Sequence, residues 1–156
     1  MFKKRKQIKP KSFWLNATLR LLVVAFVTVL YVLYMDADLL FKPVLTQTTL
    51  WVRMIFIYTF FSVLPQEFIY RVFYFKRYRF LFKNKHTFFI TNALVFSIAH
   101  LMFNSPLVLL ITLIGGYIFA YTYHKTKSMF WVSVEHLIYG SWLFTVGMGK
   151  MIGFPI

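Results

Sequence analysis

A carboxylate, a guanidinium and two imidazoles interrupt the apolar segments of this chain. Glu67 and Arg71 lie in a long apolar run from Thr49 to Phe75, and His100 and His136 lie inside later ones. Ionisable side chains in segments of this kind are costly in a bilayer and by default mark a functional site. Together, a carboxylate and two imidazoles supply a general base, a hydrogen-bond donor or ligands for a metal ion. The residue types therefore predict acid–base or metal-assisted chemistry.

A purely structural interpretation competes with this one. Glu67 and Arg71 are four residues apart, so they share a helix face and could simply neutralise each other. Gln66 lies about 100° around the helix from Glu67, so the two side chains cannot face the same atom equally well. A lone histidine in a membrane helix is usually a packed helix contact. Two histidines and a glutamate on three separate segments instead favour convergence on one cavity.

The composition predicts an integral membrane protein. The 156 residues are 60% hydrophobic and 22% aromatic, more apolar surface than a soluble domain of this length could bury. Cysteine is absent, which excludes disulfides and a thiolate nucleophile. The net charge of +14 does not indicate nucleic-acid binding, because Lys and Arg cluster at the ends of apolar runs, where topology and anionic headgroups account for them. We expect membrane lipids and no nucleic acid as partners, and the oligomeric state is left open.

Five apolar segments predict an all-α, polytopic bundle of about five transmembrane helices. Residues 1–12 form a basic arm, 13–48 the first span and its loop, 49–150 a core and 151–156 a tail. The first span has no small-residue cleavage site after it and is long for a signal peptide, so we interpret it as uncleaved. Arg20 near its start can snorkel toward the headgroups. The five spans are Phe13 to Met35, Thr49 to Phe75, Thr87 to Phe103, Leu107 to Tyr123 and Met129 to Gly147.

The distribution of Lys and Arg predicts the orientation. The N-terminal arm, the basic connector from Lys76 to Lys85 and the loop with Lys125 and Lys127 fall on one side, which the positive-inside rule places in the cytoplasm. We therefore expect a multi-pass protein of a cell membrane, the bacterial inner membrane, with its N-terminus cytoplasmic. Gly115 and Gly116 in the fourth span predict a close approach of another helix.

Three motifs together resemble those of the CAAX-protease and bacteriocin-processing (CPBP) family. They are Gln66-Glu67-x-x-x-Arg71, Phe96-x-x-x-His100 and Glu135-His136-x-x-x-Gly140. The family includes the type II CAAX prenyl proteases and bacteriocin-immunity proteins. The resemblance covers about residues 62–149. It implies an intramembrane endopeptidase, a metalloprotease-like hydrolase acting on membrane-associated peptides or protein tails.

The resemblance also implies which side chains form the site. Glu67, or a water-linked pair of Gln66 and Glu67, would activate the attacking water, with assistance from His100. His136 would donate to the developing oxyanion. If zinc were bound, Glu67, His100 and His136 would be its ligands, but a metal-free mechanism without a cofactor is favoured. The implied catalytic residues are Glu67, His100 and His136, and the supporting ones are Gln66, Arg71, Phe96 and Gly140.

Two positions depart from the family pattern. The family usually has glutamate where Gln66 stands, and a neutral amide cannot take a proton from water. It often has asparagine where Gly140 stands, and glycine has no side-chain donor. A second hypothesis is therefore a catalytically degenerate member that acts as a membrane interaction or bacteriocin-immunity protein. A third, a small transporter or channel subunit, is disfavoured because no internal repeat is evident.

Overall fold

The computed structural model describes residues 10–154, and every regular element in that range is helical. The predicted all-α class is confirmed. Residues 1–9 of the predicted basic arm lie outside the described range, and its residues 10–12 already belong to the first helix. Residues 155–156 of the predicted tail also lie outside the described range. The helices are α1 Pro10–Met35, α2 Lys42–Thr46, α3 Thr48–Leu81, α4 Lys85–Ile98, α5 Pro106–Thr126 and α6 Met129–Val146, with short 3₁₀ turns at Ala37–Leu39, Leu101–Phe103 and Lys150–Ile152.

Four helices are long and apolar enough to cross a membrane: α1, α3, α4 with its following turn, and α5. They correspond to the first four predicted spans. The fifth, α6, has 18 residues but is not among the four, because polar residues such as Glu135 and His136 interrupt its apolar sequence. Its crossing of the membrane stays a prediction. On α1, outward side chains such as Leu22 and Phe26 are 60% and 67% exposed, as expected of an all-α membrane protein that faces lipid.

Polar caps fix where the later helices begin. Asn84, Ser105 and Ser128 each accept a hydrogen bond from a backbone N–H in the first turn of α4, α5 and α6. Such side chains satisfy N–H groups that have no partner within the helix. Helix α3 continues to Leu81, past the predicted end of the second span at Phe75, so the first part of the basic connector from Lys76 to Lys85 is helical.

Helix α3 contains two π-helical segments, Tyr58–Val63 and Phe68–Phe73, on either side of Pro65. In the first, the N–H of Leu64 bonds to the carbonyl of Thr59, five residues back. Pro65 has no N–H to donate, and the wider turns accommodate the altered hydrogen bonding. Interruptions of this kind often occur at functional sites. Both segments lie on the helix that bears the first motif.

Helices α4 and α5 pack closely at Gly116. A Cβ atom added there would lie 3.0 Å from the Cα of Ala93 and 3.1 Å from Cδ1 of Phe96. The predicted close approach is confirmed for Gly116. At Gly115, in contrast, an added Cβ would meet only the ring of Phe119, on the same helix. The small residue therefore brings the second motif, on α4, against α5.

Helix α1 is fastened to α6 by a partly buried ion pair. Nη1 of Arg20 lies 2.7 Å from Oε1 of Glu135 and 3.0 Å from Oγ1 of Thr122. The hydroxyl of Tyr139 lies 2.8 Å from the same Glu135 oxygen and 3.1 Å from the carbonyl of Ala17. Arg20, whose side chain stays 28% exposed, pairs with the fully buried Glu135, a partner that the expectation of snorkelling did not include. These contacts hold α1 beside the motif helices.

Candidate active site

The carboxylate of Glu67 joins the first and third motifs. It is fully buried and lies between the two π-helical segments of α3. Its Oε1 is 2.7 Å from Nδ1 of His136. Its Oε2 is 3.2 Å from Nε of Arg71, in an ion pair that lacks the alignment of a hydrogen bond. Both carboxylate oxygens are therefore directed at cationic or hydrogen-bonding partners within the protein.

Arg71 is enclosed on all sides. Its Nη1 donates a 2.8 Å hydrogen bond to Oδ1 of Asn92, and its guanidinium lies 4.9 Å from the ring centre of Phe96 and 5.7 Å from that of Phe119. A buried charge requires a counter-ion and hydrogen bonds of this kind. Asn92 was not among the predicted site residues. The sequence feature that could have identified Asn92 is its polar amide, which lies one helical turn before Phe96 on an otherwise apolar face of α4.

The imidazole of His136 is held by contacts on all sides but one. Phe119 stacks on it at 4.4 Å, and Phe96 and Tyr58 meet it edge-on at 5.9 Å each. The carboxylate of Glu67 on Nδ1 keeps the proton on that nitrogen and leaves a lone pair on Nε2. Within the described chain Nε2 has no hydrogen-bond partner, and His136 lines a cavity. The arrangement presents an oriented base.

His100 lies just beyond α4 and faces the same cavity. Its Nδ1 is 2.7 Å from the carbonyl of Phe96. Since a carbonyl only accepts hydrogen bonds, Nδ1 is the donor and Nε2 bears the lone pair. The ring of Phe96 lies between the two imidazoles, 4.7 Å from His100 and 5.9 Å from His136. The structure thus brings the two histidines to one cavity, but it joins only His136 to Glu67.

The cavity has a volume of about 360 Å³ and is enclosed by α1, α3, α4, α5, α6 and the C-terminal turn. Its walls are mostly apolar, and Glu67 and Arg71 do not line it. Apolar clefts with a few convergent polar groups are typical of binding sites for small molecules and peptides. The polar side chains that line it are Thr28, Tyr58, Ser62, Gln66, His100, Thr112, His136 and Tyr139.

Gln66 faces the cavity, and Glu67 faces away from it. Nε2 of Gln66 donates to Oγ of Ser62 at 2.9 Å, and its Oε1 has no partner within residues 10–154. The different directions of the Gln66 and Glu67 side chains were predicted from their adjacent positions on one helix. The neutral amide, rather than the carboxylate, is therefore the first-motif group that borders the cavity.

Gly140 lies one helical turn after His136, and its missing side chain makes room for Tyr58. A Cβ atom added to Gly140 would overlap the hydroxyl and ring of Tyr58. Sequence reasoning did not identify Tyr58, because a tyrosine in an apolar run has no distinguishing pattern. Only the packing of α3 against α6 brings the two positions together.

The proposed zinc ligands do not fit one ion in this arrangement. Glu67 approaches His136 at Nδ1, so an ion bound to Nε2 would lie across the ring from the carboxylate. Within residues 10–154, no group of three or more His, Cys, Asp or Glu side chains is placed to hold a metal ion. Glu67, His100 and His136 would have to rearrange before they could share one.

Comparison with known proteins supports the resemblance that the motifs suggest. No curated protein and no solved structure matches the chain. A profile described as type II CAAX prenyl endopeptidase Rce1-like matches residues 47–142. The match begins just before α3, ends within α6 and includes all three motifs. The chain belongs to the type II CAAX prenyl endopeptidase Rce1-like family.

Proposed function

We propose that the protein is an intramembrane endopeptidase that hydrolyses a peptide bond of a membrane-associated peptide or protein tail. The observation that supports this best is the pair of Glu67 and His136, which directs a free imidazole nitrogen into an apolar cavity. A carboxylate on Nδ1 fixes the tautomer and stabilises the imidazolium that forms when Nε2 takes a proton. Glu67 therefore acts through His136, and Arg71 keeps the carboxylate in place.

The polar side chains around the cavity suit the activation of water. Nε2 of His136 accepts one hydrogen of the water and removes it as a general base, and Nε2 of His100 accepts the other. Gln66 takes no proton in this scheme, so its neutral amide is compatible with hydrolysis.

The reaction proceeds in two balanced steps. The water oxygen bonds to the carbonyl carbon, its proton passes to Nε2 of His136, and the carbonyl electron pair moves onto oxygen. When this intermediate collapses, the carbon–nitrogen bond breaks and the proton on His136 passes to the leaving nitrogen. The products are a new carboxyl terminus and a new amino terminus. The apolar walls favour a substrate segment that partitions into the bilayer.

A cleavage assay tests this proposal. The purified full-length protein in lipid nanodiscs is mixed with a pool of membrane-anchored peptides, and new termini are identified by mass spectrometry. We expect His136→Ala to lower the cleavage rate by about 10²–10⁴-fold, the usual contribution of a general base. His86→Ala is the matched control, because His86 is exposed and does not line the cavity. Cleavage by His136→Ala at the rate of the unmutated protein would exclude this mechanism.

A second candidate function is a non-catalytic interaction or immunity protein. The observation that favours it is the neutral Gln66 at the position that faces the cavity. Such a protein would produce no new termini, and its protective or binding effect would be the same with His136→Ala as without it.

A further inference from the structure

We infer that Tyr58 supplies the hydrogen bond that stabilises the oxyanion, in the space that a side chain at position 140 would otherwise fill. The inference rests on the proposed hydrolysis and adds a catalytic residue to it. Tyr58 opens the first π-helical segment of α3, Tyr58–Val63. Its hydroxyl and ring occupy the volume beside Gly140, so that any larger residue there would displace it.

The hydroxyl of Tyr58 is free to donate. Tyr58 lines the cavity, and no hydrogen bond from its hydroxyl is formed within residues 10–154. Its ring is held edge-on against His136 at 5.9 Å and against Phe144 at 5.1 Å. The other tyrosine of the cavity, Tyr139, is already bonded to Glu135. Tyr58 therefore combines a fixed ring with an unused O–H group.

The proposed oxyanion needs a hydrogen-bond donor in the cavity. In the tautomers described above, His100 and His136 present lone pairs to the cavity. Two acceptors would destabilise a developing negative charge, whereas a preorganised donor stabilises it. The hydroxyl of Ser62, which accepts a hydrogen bond from the amide of Gln66, also lines the cavity and is the alternative donor. Tyr58 instead contacts the ring of His136, next to which the oxyanion forms. It keeps its proton throughout, since the interaction is a hydrogen bond.

The first test removes only the hydroxyl. Tyr58→Phe keeps the ring contacts, so we expect an unchanged unfolding midpoint, a kcat lower by about 10²–10³-fold and little change in KM. Tyr34→Phe is the matched control, because Tyr34 is 86% exposed at the end of α1 and should cleave normally. Ser62→Ala is assayed alongside. A normal kcat in Tyr58→Phe, or a larger loss in Ser62→Ala, would overturn the assignment to Tyr58.

The second test moves the donor to position 140. Gly140→Asn alone should be inactive or unstable, because its side chain overlaps Tyr58. Tyr58→Ala removes the ring as well as the hydroxyl, and adding Gly140→Asn to it places an amide N–H in the vacated space. We expect the double variant to cleave faster than Tyr58→Ala. A double variant that cleaves no faster than Tyr58→Ala would contradict the shared position.

A stability measurement separates failure of this inference from failure of the proposed function. Gly140→Ala should lower the unfolding midpoint, and Tyr58→Ala combined with it should restore part of the loss, whether or not any peptide is cleaved. If this coupling is present and the unmutated protein yields no new termini, the proposed hydrolysis is wrong, and the donor role of Tyr58 is then wrong as well. If the unmutated protein cleaves and Tyr58→Phe cleaves equally well, only the donor role is wrong.

Discussion

At the scale of single residues, one carboxylate serves two partners. Oε1 of Glu67 holds His136 and Oε2 faces Arg71, so that the same group orients a base and neutralises a buried cation. The two contributions differ in kind. The ion pair affects folding, because an unpaired buried guanidinium is costly. In the proposed mechanism, the contact with His136 affects cleavage, because it sets which imidazole nitrogen is free to take a proton.

Charge removal at Glu67 should separate these contributions. We expect Glu67→Gln to destabilise the protein by about 3–5 kcal/mol, since Arg71 is left buried without its counter-ion. Combining it with Arg71→Met should recover part of that stability but no cleavage, because His136 still lacks its carboxylate. Unfolding in detergent and the cleavage assay measure the two effects. Asp38→Asn, an exposed change of the same type, is the control. A Glu67→Gln variant as stable as the unmutated protein would show that the ion pair does not matter for folding.

At the scale of helices, the sequence predicted which helices are present better than it predicted their internal hydrogen bonding and their partners. The first four spans and the close approach at Gly116 follow from apolar runs and small residues, which depend on local sequence. The divergence of Gln66 and Glu67 was also predictable, because it follows from helix periodicity. The π-helical segments of α3 and the partnership of Tyr58 with Gly140 were not, because they depend on how α3 packs against α6. The same holds for Arg20, whose partner Glu135 lies on a distant helix.

The contact between α4 and α5 predicts a contrast between adjacent glycines. Gly116→Ala forces a Cβ atom against the backbone of Ala93, and we expect a loss of about 1–3 kcal/mol, as for other overpacked sites. Gly115→Ala meets only the edge of the Phe119 ring, 3.3 Å away on the same helix, and should change stability less. Thermal unfolding of both variants in the same detergent measures the difference. Equal unfolding midpoints for the two variants would show that α4 and α5 can move apart at Gly116 without a loss of stability.

At the scale of the whole molecule, the protein is an all-α membrane protein whose polar groups are turned inward. Residues Asn104 and Lys127 flank the two ends of α5. Since α5 is long enough to cross a bilayer, these two positions should lie on opposite sides. The positive-inside rule assigns the side of Lys127 to the cytoplasm.

Reporter fusions test this topology. Fusions after Asn104 and after Lys127 should report opposite sides, with Lys127 cytoplasmic. A fusion after Ile152 should report the side of Asn104 if α6 crosses the membrane. A fusion to the N-terminus, expected on the side of Lys127, is the control. If the fusion after Ile152 were found with Lys127, α6 would not span, and the count would be four.

The ion pair between Arg20 and Glu135 imposes an order of events on biosynthesis. The two residues are 115 positions apart, which at roughly 5–20 residues per second corresponds to roughly 6–23 s of translation. Throughout that interval α1 exists without the counter-ion of its arginine. A long arginine side chain can extend from within a helix toward the headgroups, and this is the position that we expect for Arg20 in the newly made helix. Emergence of Glu135 then gives this charge its partner, and α6, which is made after α1, fastens α1 in place.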